Sequence, residues 1–314
     1  MENVSYTDIS KLSDEECYFI VFAYLCSESS KYWFEFQKEV KNNKRFFPDS
    51  VLLNLVQDMK DDTVYYLRKG DCFYRARLFH DFFIEHHKKE FKELKDVIVQ
   101  SYPELQGKSF NEMSYIFNDP LILLNQELID KIKKILKKHK KFWGYDSLGS
   151  DSPPSDKATA GRANPGGISY LYMCDSRNTS ILEVRPMIGQ EVSVATIEVL
   201  DDIKLFDLCK EDGQFSNGGD VVLHSVISRA FSEPYSGREE DYYPTQYLCE
   251  FIRNLGFEGI RYYSSLDDKS KDIVLFNTKP DEANGLKKYK IKKSEVFLVK
   301  GFNPDILQIA PWKE

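Results

Sequence analysis

Arg75 and Arg77 sit two residues apart in FYRARLF, and the alternation of a strand would put both on one face with Phe73 and Phe79. Guanidinium groups set among apolar side chains require an anionic partner. A phosphate or pyrophosphate matches their fork of N–H donors, and a structural salt bridge is the plainer alternative. Arg162 lies in AGRANPGG, where Gly161, Gly166 and Gly167 let a ligand approach the backbone and Pro165 stiffens the turn. Tyr170 and Tyr172 follow on an expected strand. Glu183 lies in SILEVRP beside Ile181, Leu182 and Val184, either as a paired structural acid or as a carboxylate held against a developing positive charge. Ser264 and Ser265 end GIRYYSS, and strand ends are where site residues commonly project.

The elements that must hold these groups come from a chain of 314 residues, 42% hydrophobic and 30% charged, with 16 Gly and 12 Pro. That composition fits a folded chain of about two domains rather than a disordered or fibrous one. A net charge of −7 argues against a surface built throughout for nucleic acid or anionic membrane. Six cysteines stand singly, without a C-x-x-C pair, which fits reduced thiols and no metal site. Neither a signal peptide nor an apolar run of about 20 residues is evident. The expected location is the cytoplasm.

Residues 14–60 read as a helical module: Ser13 is a candidate N-cap, Tyr18 to Leu25 is strongly apolar, and Val51, Leu52, Leu55 and Val56 recur at helical spacing. TVYYLRKG and CFYRARLF read as a strand pair. A helical insertion over about 83–142 follows, ending in KIKKILKKHKK, whose seven lysines form either a solvated face or a surface for a nucleic acid, phosphate or acidic partner. The polar stretch 144–167 is too long for a simple connector. Beyond it, strands (SYLYMCD, EVSVATIEVL, IKLFDL, FEGIRYYSS, DIVLFN, EVFLVK) and helices (NTSILEVR, VVLHSVISRAF, PTQYLCEFIRNLG) follow without regular alternation. The expected class is α+β with a mostly antiparallel sheet.

In combination, GRANPGGISYLYMCDSRNTSILEV, LFDL, YPTQYLCEFIRNLGFEGIRYYSS and DIVLF resemble, in order, the RES family, NAD-consuming bacterial toxins commonly paired with an antitoxin. The resemblance runs from about Gly70 to about Asn277, excluding the insertion. It implies a split β core like that of ADP-ribosyltransferases, with domains at 1–65 (helical, similar to HEPN-like domains) and 66–314 (catalytic, carrying the insertion). It also implies NAD as substrate, no metal, and roles for Arg75, Glu183 and Ser264 in catalysis. Arg75, Arg77, Arg162, Asn164, Tyr172 and Ser265 would contact NAD, with Ser265 the one-residue alternative to Ser264. The expected partners are an antitoxin or regulatory protein and a second copy met through the helical module. Nucleic acid is expected nowhere except at the basic helix Lys131–Lys141.

Breaking the nicotinamide glycosidic bond develops oxocarbenium character on the ribose, which a carboxylate such as Glu183 would stabilise more in the transition state than in the ground state. The acceptor of the ADP-ribosyl group stays open among water, phosphate and a protein side chain. Other readings are an ADP-ribosyltransferase with a specific target, a HEPN-type ribonuclease using Arg75 and His80, and an interaction protein with a silent site. His224, on an apolar helical face, reads as a satisfied core histidine.

Overall fold

A computed structural model describes residues 13–79, 88–108, 125–139, 144–209, 215, 218–234, 237–280 and 285–301. Among the described residues the longer α-helices are α1 (Asp14–Lys38), α2 (Val51–Asp58), α3 (Lys88–Ser101), α4 (Gln126–His139), α5 (Arg177–Glu183), α6 (Gly218–Ser232) and α7 (Tyr243–Asn254). The strands are β1 (Val64–Leu67), β2 (Cys72–Phe79), β3 (Leu171–Cys174), β4 (Glu191–Val199), β5 (Ile203–Asp207), β6 (Gly259–Tyr263), β7 (Lys271–Leu275) and β8 (Tyr289–Leu298). Helices and strands are interspersed without βαβ alternation, so the class is α+β.

The chain divides into two compact units, the first comprising 1–73, 151–179 and 198–290 and the second 74–150, 180–197 and 291–314. In the first unit the strand order is β1-β5-β6-β7-β3. β1 pairs antiparallel with β5 (Val64↔Phe206), β6 with β7 (Gly259↔Leu275) and β3 with β7 (Tyr172↔Val274). Only β5 and β6 run parallel (Leu205↔Gly259). A parallel neighbour needs a long crossover, and α6 and α7 provide it.

These two helices bury Leu223, Ile227, Phe231, Leu248, Cys249 and Ile252 against Phe206, Ile260 and Val274 of the sheet. Trp33 and Phe36 of α1 and Leu52 and Val56 of α2 enter the same core. Ser50 begins α2 as its N-cap, its hydroxyl accepting from the Leu52 amide at 3.3 Å. The helical module read at 1–65 therefore shares its hydrophobic core with the strands that follow it. Further toward its start, α1 leaves Tyr18, Ile20, Val21 and Tyr24 exposed.

The second unit holds most of β2, β4 and β8, in the order β2-β4-β8, around Ala76, Val192, Val194 and Val299. The expected insertion contributes α3 and α4, which pack on each other with Leu94, Ile98 and Leu128 buried. On the basic helix Lys131, Lys133 and Lys134 face solvent, and Lys131 pairs with Glu127 one turn earlier at 2.7 Å. The side chains of 136–141 lie outside the described residues.

Gly259 has a packing reason to be glycine, because a Cβ there would stand 2.3 Å from the Val274 carbonyl oxygen and 2.8 Å from Leu205. The first obstacle is backbone of a paired strand and cannot swing aside. Gly259→Ala is therefore expected to cost roughly 2–3 kcal/mol, read as a lower midpoint in chemical denaturation. A midpoint equal to wild type would contradict the register of β6 between β5 and β7.

Candidate active site

The segment 158–168 is folded by its own polar groups. The Gly161 amide donates to the Asn164 carbonyl at 2.9 Å, and the Gly167 amide donates to Ala158 at 2.8 Å. Asn164 is 3% exposed, and its amide nitrogen reaches the carbonyls of Thr159 (3.0 Å), Pro165 (3.0 Å) and Ile168 (2.8 Å). The Tyr172 hydroxyl donates to Asn164 Oδ1 at 2.6 Å and accepts from the Ala163 amide at 3.0 Å. Burial pushes this phenol far above its ordinary range, so it stays a donor at any physiological pH. The ring itself is half-buried against the core of α6 and α7.

Close packing at the hydroxyl explains Gly161. A Cβ there would lie 2.7 Å from Tyr172 Oη and 3.0 Å from Asn164 Oδ1. From the other side, the first turn of α7 holds the same segment. Thr245 Oγ1 lies 2.7 Å from the Arg162 carbonyl and 3.0 Å from that of Tyr242. Gln246 Nε2 donates to the carbonyls of Gly161 (2.8 Å) and Asn164 (3.0 Å).

The Arg162 guanidinium extends to the C-terminal end of α6, donating to the Ala230 carbonyl at 3.1 Å and to that of Glu233. A cation there satisfies carbonyls left over at a helix end and opposes the helix dipole. The Tyr242 ring lies 5.3 Å from the guanidinium carbon. These contacts occupy two of five N–H donors. The same helix end meets the end of β6, where Ser232 Oγ donates to the Tyr263 carbonyl at 3.0 Å. Arg162 and the β6 terminus carrying Ser264 and Ser265 are thus brought to one helix end.

Ser264 is buried and Ser265 half-buried. Ser264 Oγ accepts from the Leu266 amide at 3.2 Å, and its amide donates to Ser270 at 3.0 Å. Asp267 closes the turn by accepting from the Ser270 hydroxyl at 2.5 Å and from Thr179 of α5 at 3.0 Å. The Ser270 hydroxyl first, then the Lys269 amide and Thr179, hold the Asp267 carboxyl below its usual range.

Arg75, Arg77 and Glu183 belong to the second compact unit. Arg75 lies on β2 with its Nε buried. Arg77 donates to the Gly149 carbonyl and sits 5.3 Å from the Tyr145 ring, so part of its donor set has a structural use. Glu183 is the exposed last residue of α5. Two residues on, Arg185 takes φ 47°, the left-handed conformation that ends helices and that non-glycine residues adopt at a cost. His80 lies outside the described residues. His224 is buried, with Nε2 2.7 Å from the Asp207 carbonyl, the environment of a satisfied core histidine.

Sequence reasoning missed Thr245 and Gln246, although polar residues on the core face of a helix, in register with buried Cys249 and Ile252, were an available signal. It also missed the buried pair in which Arg261 Nε and Nη2 reach the two Asp207 oxygens at 2.9 and 2.8 Å, with the Tyr65 ring 3.6 Å from the guanidinium carbon. Burial raises the thiols of Cys174, Cys209 and Cys249 far above their ordinary range, so none of the three is a ready thiolate nucleophile.

Tyr172→Phe keeps the ring but strands Asn164 Oδ1 and the Ala163 amide. It is expected to cost about 1–3 kcal/mol, and Gly161→Ala about as much through its clash. In the double variant the clashing oxygen is gone, so the combined loss in denaturation should be smaller than the two single losses added. Strict additivity would contradict the contact.

The described residues include no helix long and apolar enough to cross a membrane. Among solved structures, the chain is similar to one chain of the M. tuberculosis MbcT-MbcA toxin-antitoxin complex. That similarity has 11% identity and a TM-score of 0.38, covering 79% of this chain and 94% of that one. No curated protein matches it. The family model for the RES domain matches residues 133–295, just over half of the chain and a span that includes Arg162, Asn164, Tyr172, Glu183, Ser264 and Ser265 but not Arg75 or Arg77. On that match the chain belongs to the RES domain family.

Proposed function

We propose that this RES-domain protein cleaves the nicotinamide glycosidic bond of NAD and so acts as a growth-arresting toxin or effector. The observation that carries this reading is the family match over 133–295, which contains the Arg162, Glu183 and Ser264 segments in one ordered stretch and leaves Arg75 outside it. In the reaction the bond between ribose C1′ and the pyridinium nitrogen breaks, and nicotinamide leaves with the electron pair. An oxygen of water then bonds C1′ and its proton passes to solvent water, or an anionic oxygen of phosphate bonds C1′ with no proton to lose.

Glu183 stabilises the positive charge that grows on the ribose. Arg162 holds the pyrophosphate through N–H donors not given to the Ala230 and Glu233 carbonyls, a role that the family resemblance also gives to Arg75 and Arg77. Tyr172, whose hydroxyl is taken up by the 158–168 segment, offers its ring for stacking. Asn164 fixes the shape of the NAD-binding segment, and Ser264 or Ser265 bonds a ribose or phosphate oxygen. No metal enters this scheme. A protein that consumes a central cofactor needs restraint in its own cell, so an antitoxin or regulatory protein is the expected partner, and phage defence a setting in which release would be useful.

A second reading within the class is transfer of ADP-ribose to a protein target. The ribonuclease alternative requires an arginine–histidine pair on a helix, whereas Arg75 lies on strand β2, which disfavours it.

Purified protein incubated with NAD, with and without phosphate, is expected to yield nicotinamide with ADP-ribose or ADP-ribose 1″-phosphate by mass. Glu183→Ala should lower kcat by about 100-fold or more with little change in KM. Full activity of Glu183→Ala would refute the assignment, and label from NAD found on a protein would move the reading to transferase.

The exposed Tyr18, Ile20, Val21 and Tyr24 of α1 favour pairing of two copies through this helix, since several large apolar side chains exposed on one helix offer a surface for a partner. Light scattering should report a dimer for the wild type and a monomer for Val21→Asp/Tyr24→Asp. A wild-type monomer would end this reading.

A further inference from the structure

The first turn of α7 holds the backbone on which Arg162 stands. Arg162 can meet a pyrophosphate only if its backbone is held in place, and three successive kinds of contact fix that backbone. The Tyr172 hydroxyl takes the Ala163 amide, Thr245 Oγ1 reaches the Arg162 carbonyl, and Gln246 Nε2 spans the carbonyls of Gly161 and Asn164. Gln246 is 6% exposed and sits in helix-forming sequence where an apolar side chain would serve the core better. A carboxamide nitrogen has two N–H donors. Here each is matched to a carbonyl, and the two carbonyls flank Arg162 in sequence, bracketing the turn that presents its side chain.

We infer that Gln246, assisted by Thr245, is the positioning residue of the Arg162 turn. It sets where the guanidinium stands for a pyrophosphate-bearing substrate without touching that substrate itself. The inference rests on the NAD reading above. A packing role alone would need only a side chain of this volume, but the two carbonyls require a donor of this geometry. An apolar isostere takes the donor from the Gly161 oxygen and leaves the Asn164 oxygen with the Gly161 amide, which frees the turn to shift, while glutamate has no donor at this position and adds charge repulsion with both oxygens.

A positioning role for pyrophosphate binding has a kinetic signature distinct from loss of fold. Interactions made equally in ground and transition states appear in KM. Gln246→Met is therefore expected to raise KM for NAD about ten-fold while kcat stays within about two-fold, and Gln246→Glu to raise KM at least as much. Thr245→Val should act in the same direction and more weakly, because it releases one carbonyl rather than two. Arg162→Ala should raise KM by itself, and Gln246→Met added to it should raise KM no further, since two residues acting through one contact do not add.

Wild-type KM in Gln246→Met, or KM increases that multiply in the double variant, would overturn the positioning role while leaving NAD cleavage standing. A fall in kcat at unchanged KM would overturn it as well. A wild-type protein that does not consume NAD would overturn the proposed function and this role together. Thermal midpoints of each variant, measured alongside, keep a folding defect from passing as a KM effect, because a partly unfolded preparation lowers apparent kcat and leaves KM alone.

Discussion

The hydrogen bond between the Tyr172 hydroxyl and Asn164 Oδ1, 2.6 Å long and partly buried, is the contact on which the candidate site depends. Segment 158–168 has no helix or ladder to satisfy its backbone, and a buried loop with unpaired carbonyls would be strongly unfavourable. Asn164 supplies the missing donors from its side-chain amide, and Tyr172 fixes which way that amide faces by occupying its oxygen. Remove the phenol and the orientation of Asn164 loses its reference; replace Gly161 and the phenol cannot reach. The glycine, the asparagine and the tyrosine form one device.

That device is anchored to the sheet and to the helices together. Tyr172 lies on β3, paired with Val274 of β7, so the position of its hydroxyl follows from strand register. Thr245 and Gln246 belong to α7, which packs with α6 on the same sheet. Arg162 therefore projects from a segment gripped by a strand on one side and a helix on the other, and its guanidinium closes the end of α6. A ligand anion would meet an arginine whose backbone is already ordered, which reduces the entropy lost on binding. The donors committed to the Ala230 and Glu233 carbonyls orient that guanidinium rather than consume it.

Much of this was legible in the sequence and part was not, for physical reasons. The strands of β-branched and aromatic residues and the α+β order follow from local periodicity, which reports burial on one face. The grouping of helices with strands does not. Residues 14–60 read as a helical module, yet Trp33 and Phe36 within it enter the core beneath β5 and β6, because an apolar stripe does not name its partner. The parallel β5–β6 pair was hidden for a related reason: strand order is set by the crossover through α6 and α7, which sequence pattern does not encode. Asn164 and Tyr172 are expected from the resemblance as ligand contacts, and their bond to each other is not foreseeable, since residues eight apart with no fixed turn between them have no predictable distance. Gln246 was read simply as part of a helix, and only its burial reveals what it holds.

The most direct test of the central claim, that the preordered 158–168 segment is where NAD is held, is hydrogen–deuterium exchange of the wild-type protein with and without NAD, sampled before turnover is complete. The account predicts that NAD slows exchange chiefly in 158–168 and in the first turn of α7 at 243–247. Unchanged exchange in 158–168, with protection appearing elsewhere, would contradict it.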